Sequence, residues 1–127
     1  MKIVKRSMKE PQPLESEGAE GVALVNMVGE EEGAPNFVMR LFKIGTNGHT
    51  PFHHHDNEHV VYIINGSGVV HTPNGDHHFE SGDGVFVAPD EEHQFRNTGA
   101  GDLMFTCTIP LHNKADIGKS SQSCCGR

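Results

Sequence analysis

The sequence contains no tryptophan and one tyrosine, and 35% of its 127 residues are hydrophobic. This apolar share is below the usual value, but it is sufficient for one compact core. At this length we expect a single domain rather than two lobes. No apolar run approaches the roughly 18 residues of a membrane-spanning helix, which excludes a transmembrane segment of that kind.

Positive charge is also scarce, because 10 Lys and Arg residues stand against 17 Asp and Glu residues, giving a formal net charge of −7. Such a chain lacks the basic surface of a nucleic-acid-binding protein. The 3 cysteines are too few for a disulfide framework, and the adjacent Cys124 and Cys125 are poorly placed to bridge each other. A reducing compartment fits this pattern. The basic residues 1–7 lack the apolar segment of a secretory signal, so we expect a cytoplasmic protein.

Glycine and proline are abundant, with 15 and 7 residues respectively. Turn-forming residues recur at intervals of about 8–12 residues, and the short segments between them have the composition of strands. Gly45–Gly48 is one of the predicted turns. No segment shows helical periodicity over more than two turns, so the sequence predicts an all-β sandwich or barrel. We expect an irregular arm over residues 1–20, the barrel over 21–110 and a flexible tail over 111–127.

Histidine is the residue type in excess, with 10 copies. His53 and His55 are two residues apart and therefore share one face of a strand. A turn at residues 56–57 would bring His59 beside them, and His93 begins a later strand after a proline-containing loop. Four imidazoles arranged in this way can converge on one transition-metal ion. A solvated, tag-like histidine tract is the alternative, but such tracts lie at chain termini and this one lies within the predicted domain.

The segments around these histidines resemble the two sequence motifs of the cupin superfamily. The first reads Gly48, His53-x-His55, three residues, His59, six residues and Gly66, and the second reads Gly82-Asp83, Pro89, His93 and Asn97. The resemblance implies a double-stranded β-helix, the jelly-roll barrel of the cupins. The Gly48–His53 gap is one residue short, and Pro89 is displaced by one position.

The family usually carries glutamate where His59 stands. The sequence is therefore similar to small single-domain cupins with a four-histidine site, some of which bind manganese and oxidise alkenes. In a rival register Glu58 is the ligand and His59 is not. The resemblance implies one divalent ion, with manganese first, and leaves iron, copper, nickel and zinc open.

Four neutral imidazoles would leave the ion its full positive charge, which favours Lewis acidity and anionic ligands. With octahedral coordination, four protein ligands leave two positions open for a substrate or an oxygen species. The set differs from the two-histidine, one-carboxylate triad of non-haem iron oxygenases.

Candidates for a substrate pocket come from two strands. Phe105, Cys107 and Ile109 alternate along the last strand and are expected to face inward, as pocket wall or as plain core. Met39 and Arg40 lie in a segment that adds to the resemblance, and we count both as pocket residues. Arg40 either points outward or supplies a cation to the cavity.

These observations favour a metal-dependent oxidoreductase of the dioxygenase type, acting on a small apolar or aromatic substrate. The alternatives are a non-oxidative isomerase, cyclase or lyase, and a non-catalytic protein that binds a small molecule. The acid–base residues cannot be assigned from the sequence. We expect no nucleic-acid or membrane partner. A homodimer is expected because such barrels expose sheet edges and an apolar outer face, and residues 1–20 could cross to the second copy.

Overall fold

The structure is a computed structural model that describes residues 1–111. Cys124, Cys125 and the predicted tail beyond residue 111 lie outside this range. Within it are two short 3₁₀ helices, Arg6–Met8 and Glu30–Glu32, and the strands β1 (Gln12–Pro13), β2 (Glu20–Val28), β3 (Phe37–His49), β4 (His59–Asn65), β5 (Ser67–Thr72), β6 (Gly75–Glu80), β7 (Gly84–Val87), β8 (Gln94–Asn97) and β9 (Leu103–Pro110). No helix in the described range is long and apolar enough to cross a membrane.

The strands form one curled antiparallel sheet in the order β6-β5-β8-β3-β9-β4-β7, and β1 and β2 extend it beside β3. Strand β3 connects the two halves. Its residues 37–44 pair with β9, and its last residue, His49, pairs with Arg96 of β8. The sheet therefore folds over itself into a jelly-roll barrel, which confirms the all-β prediction.

The predicted turn at Gly45–Gly48 is wrong, because these residues continue β3, which is 13 residues long. Asn47 adopts a left-handed φ of 65°, and the pairing with β2 shifts register between Glu20 and Val22. A bulge of this kind bends a strand and increases its twist without reversing it. The glycine-rich segment therefore carries β3 from one half of the barrel to the other.

Alternation along the strands separates the core from the outer surface. In β9, Leu103, Phe105 and Cys107 are fully buried, while the residues between them are half-buried. Three phenylalanine rings fill the centre: Phe105 stacks on Phe42 at 5.1 Å and on Phe95 at 4.9 Å between ring centroids. This aromatic layer lies beside the histidines, since the ring centroids of Phe95 and His93 are 6.2 Å apart.

Candidate metal centre

Three histidines from separate segments meet inside the barrel. The candidate ligand nitrogens of His55, His59 and His93 all lie within 4.8 Å of one another. Nitrogens bound to one ion at about 2.0–2.2 Å have similar separations, so these three side chains are positioned to hold a metal ion. His59 and His93 are 0% and 1% exposed, and His55 is half-buried.

His53 lies beside this group and is not one of its three members. Its backbone forms an isolated bridge with His93, with reciprocal N–H···O distances of 3.2 and 3.1 Å. Its ring centroid is 4.7 Å from that of His55. Direct cross-strand partners point their side chains to the same face, which places His53 next to the cluster.

Glu58, the ligand in the rival register, is half-buried and does not belong to the group of close ligand atoms among the described residues. His59 is the first residue of β4 and pairs with Val87 of β7. Alternation in β4 turns His59, Val61 and Ile63 inward. The geometry therefore favours the register in which His59, rather than Glu58, faces the barrel interior.

Two buried nitrogen atoms test whether these residues fit a metal ion. The Nε2 atoms of His53 and His59 are buried and have no hydrogen-bond partner among residues 1–111. A buried polar atom without a partner is costly, and a metal ion is one group that would satisfy it. The donor set is thus chemically suited to a transition metal.

Burial keeps the cluster uncharged. It lowers the pKa of His59 and of His93 below the ordinary value, and it lowers that of His53, with a smaller contribution from the charge of His93. Burial, followed by the charges of His53 and His93, lowers the pKa of His55 to about 3. Neutral imidazole is the form that binds a metal, so the cluster is ready for an ion near neutral pH.

Contacts behind the ligands fix the orientation of two rings. The Nδ1 atom of His93 donates to the carbonyl oxygen of Glu91 at 2.8 Å, because a carbonyl can only accept. Its Nε2 is then left as the lone-pair atom toward the cluster. The Nδ1 atom of His59 lies 3.4 Å from the Sγ of Cys107. Each ring is therefore held from the side opposite the candidate metal position.

The predicted pocket residues separate into an inner and an outer set. Phe105, Cys107 and Ile109 lie on the inner face of β9, and Arg40 is directly opposite Cys107 with 0% exposure. Arg40 points inward, where its Nη2 donates to Cys107 Sγ at 3.3 Å and its guanidinium lies 5.3 Å from the centroid of the Phe42 ring.

Met39 does not line the interior as expected, because the structure places it on the outer face of β3 with 36% exposure. Adjacent residues of a strand point to opposite faces, so Met39 and Arg40 could not both line the interior.

A side opening that the sequence interpretation missed leads to His93. It is a cavity of about 230 Å³, and its lining residues are Val70, Thr72, His77, Val85, Phe86, Val87, Glu91 and His93. Alternation in β5 and β7 could have identified the valines as inward-facing. The sequence gives no sign that the two strands stand apart, because that depends on which neighbours they pair with.

Comparisons with known proteins identify one domain family. Residues 40–109 match the protein family described as "Cupin domain". The chain is similar to the polyketide cyclase RemF from Streptomyces resistomycificus, with a TM-score of 0.81, 27% identity, and coverage of 87% of this chain and 79% of that one. It is similar to a predicted oxalate decarboxylase from Thermotoga maritima, with a TM-score of 0.76, 26% identity, and coverage of 87% and 99% respectively.

A cupin 2 domain-containing protein from Halorhodospira halophila is 30% identical, with a TM-score of 0.66 and coverage of 79% of this chain and 77% of that one. A sequence comparison with curated proteins finds no significant match.

Proposed function

Because this chain belongs to the cupin domain family, which its residues 40–109 match, we propose that it is an enzyme that depends on one divalent metal ion. The ligands in this proposal are His53, His55, His59 and His93. The observation that carries it is the pair of buried Nε2 atoms, on His53 and His59, that have no hydrogen-bond partner in the described range. The four-histidine set resembles that of manganese-binding cupins, so the proposed ion is manganese.

We propose a dioxygenase-type oxidation of a small apolar or aromatic substrate as the reaction. A divalent ion held by neutral imidazoles would act as a Lewis acid toward oxygen ligands. The chain supplies the surroundings. Phe105, Cys107 and Ile109 are at most 2% exposed and would exclude water from the reacting groups. Arg40 adds a positive charge close to His59 through Cys107, which favours a substrate or product with anionic oxygen atoms.

The principal alternative is a non-oxidative reaction, an isomerisation, cyclisation or lyase step at a polarised carbonyl. The similarity to the polyketide cyclase RemF, at 27% identity, favours it. A third possibility is a non-catalytic protein that binds a small molecule through its metal. Oxygen dependence separates the first two, because only the oxidative reaction consumes O₂. We also propose a cytoplasmic setting, since the 3 cysteines of the sequence are too few for a disulfide framework.

The first experiment is elemental analysis of the untagged protein purified without added metal. The variant His53→Ala/His93→Ala tests the cluster, and His54→Ala/His78→Ala is the matched control at two exposed histidines. We expect one equivalent of manganese in the wild type and the control, and none in the cluster variant. Equal metal content in all three proteins, or none after incubation with Mn²⁺, would refute the proposed site.

The second experiment tests the reaction class with the metal-loaded protein. Styrene-type alkenes and small phenols are offered in air and under anaerobic conditions, and product and O₂ consumption are measured. Oxygen-dependent turnover supports the dioxygenase-type reaction. Turnover that persists without oxygen, or a wild type that binds stoichiometric zinc or nickel, supports the non-oxidative alternative.

A further inference from the structure

Strands β6 and β7 are connected by a single turn, but they pair with strands in different halves of the barrel. In the turn, the backbone N–H of Ser81 donates to Gly66 O at 2.9 Å, and that of Gly82 donates to Ile63 O at 2.8 Å. Beyond it, β6 pairs with β5, and β7 pairs with β4. These two strands are the ends of the strand order, and they do not pair with each other in the described part of the chain. A wedge-shaped gap therefore begins at the turn.

This gap is the cavity of about 230 Å³ that reaches His93. One wall carries Val70 and Thr72 of β5, and the other carries Val85 and Val87 of β7. Val70 and Val87 are 7% and 3% exposed, so their side chains face the interior. We call the space between these four residues the β5–β7 slot. It connects the outer surface with a member of the histidine cluster.

We propose that the β5–β7 slot takes an uncharged apolar arm, an alkyl chain or a single ring, of the molecule bound at the histidine cluster. This inference rests on the proposed function, because it assigns the remote part of that substrate. The three valine side chains offer no hydrogen-bond partner to a polar or charged group, which would lose its water on entry. The polar lining residues Thr72 and Glu91 already bond to the backbone, Thr72 Oγ1 to Gly75 O and Glu91 Oε1 to the N–H of Ala88. An apolar cavity of roughly 150 Å³ takes up benzene, so the slot has room for a ring with a short substituent.

Toluene is a suitable probe for the slot because it has the proposed arm and no metal-binding group. It is titrated into the full chain carrying ¹³C-labelled valine methyl groups, and methyl NMR spectra are recorded without metal. We expect saturable shifts at Val70, Val85 and Val87. Val85→Trp fills the slot and removes them, and Val85→Met, a milder change, weakens them. The matched control is Val60→Trp, at a valine of neighbouring β4 that is 55% exposed, and it leaves the shifts unchanged.

The proposal that the slot binds an apolar arm would be wrong if the shifts were absent, or if they persisted in Val85→Trp and Val85→Met. A second readout separates this outcome from failure of the metal site. In protein loaded with Mn²⁺, the paramagnetic ion should enhance relaxation of bound toluene protons, and Val85→Trp should remove the enhancement at unchanged manganese content. Saturable shifts without manganese binding would support the slot and refute the proposed function. Manganese binding without saturable shifts would support the proposed function and refute the slot.

Discussion

Arg40 and His59 contact the same sulfur atom: Cys107 Sγ lies 3.3 Å from Arg40 Nη2 and 3.4 Å from His59 Nδ1. The three residues come from neighbouring strands β3, β9 and β4, and they form a buried polar line behind one candidate metal ligand. Because Nδ1 of His59 is occupied in this way, its Nε2 is the atom left for the cluster. Cys107 is thus a positioning residue for His59.

Replacing Cys107 tests this positioning. Cys107→Val keeps an apolar side chain at this position and removes the polar contact, and we expect metal affinity to fall by about 10-fold, the lower end for groups that orient metal ligands. Cys107→Ser retains a polar contact and should lose less. Competition with a chelator of known affinity measures both. Equal affinity of the valine variant and the wild type would show that His59 needs no support from the sulfur.

Removing the interior cation should weaken the binding of anions. We expect Arg40→Met to reduce the affinity of the metal-loaded protein for benzoate by about 10-fold, since the buried cation behind the candidate ligand His59 is lost. Calorimetric titration measures this affinity. Arg96→Met is the control, because Arg96 is exposed on β8. A benzoate affinity that falls equally in both variants would mean that net charge, rather than the position of Arg40, is responsible.

The neighbouring residues His53 and His54 offer a paired test of the fourth ligand. His53 bridges His93 through the backbone, whereas His54 is exposed with its Nδ1 3.8 Å from Asp90. We expect His53→Ala to weaken metal binding by at least about 10-fold and His54→Ala to leave it unchanged. Chelator competition gives both values. If His53→Ala binds metal normally, the site uses only the three histidines of the close group.

Acid should destabilise the metal-free protein. The cluster histidines have a pKa below 6.5 in the folded state, about 3 for His55, and ordinary values when unfolded. The unfolded chain therefore binds more protons below pH 6.5, so stability is complete above that pH and falls as the pH decreases toward 3. Urea unfolding between neutral and acid pH measures this slope. His55→Gln should flatten it, and His77→Gln, at an exposed histidine, should not.

Asn97 stabilises the fold away from the metal centre. The two N–H groups of its side-chain nitrogen are shared among the carbonyl oxygens of Ile44, Gly45 and Gly101, at 2.9, 3.1 and 2.8 Å. Asn97→Ala leaves the buried oxygen of Ile44 and two partly buried oxygens without their donor, and we expect a loss of about 2–3 kcal/mol in the free energy of unfolding. Urea unfolding measures the loss, and exposed Asn74→Ala is the control. A change of the same size at both sites would contradict this role of Asn97.

The sequence predicted those features that depend on local alternation. The period of two in β9 identified the inward side of Phe105 and Cys107, whereas the motif spacing left His59 and Glu58 as alternative ligands. It could not decide the orientation of Arg40, because alternation in an isolated segment does not say which face is covered. That answer required the pairing of Arg40 with Cys107. For the same reason the gap between β6 and β7 was not predictable, since it results from the pairing partners of each strand.

The antiparallel bridge between His53 and His93 has a kinetic consequence. The two residues are far apart in the chain, so the cluster cannot assemble until β8 has docked beside the segment that carries His53. Contacts between distant segments form late, because the intervening loop must first be closed. An ion captured there would stabilise the native state more than the folding transition state. It would therefore lengthen the lifetime of the folded protein without accelerating its formation.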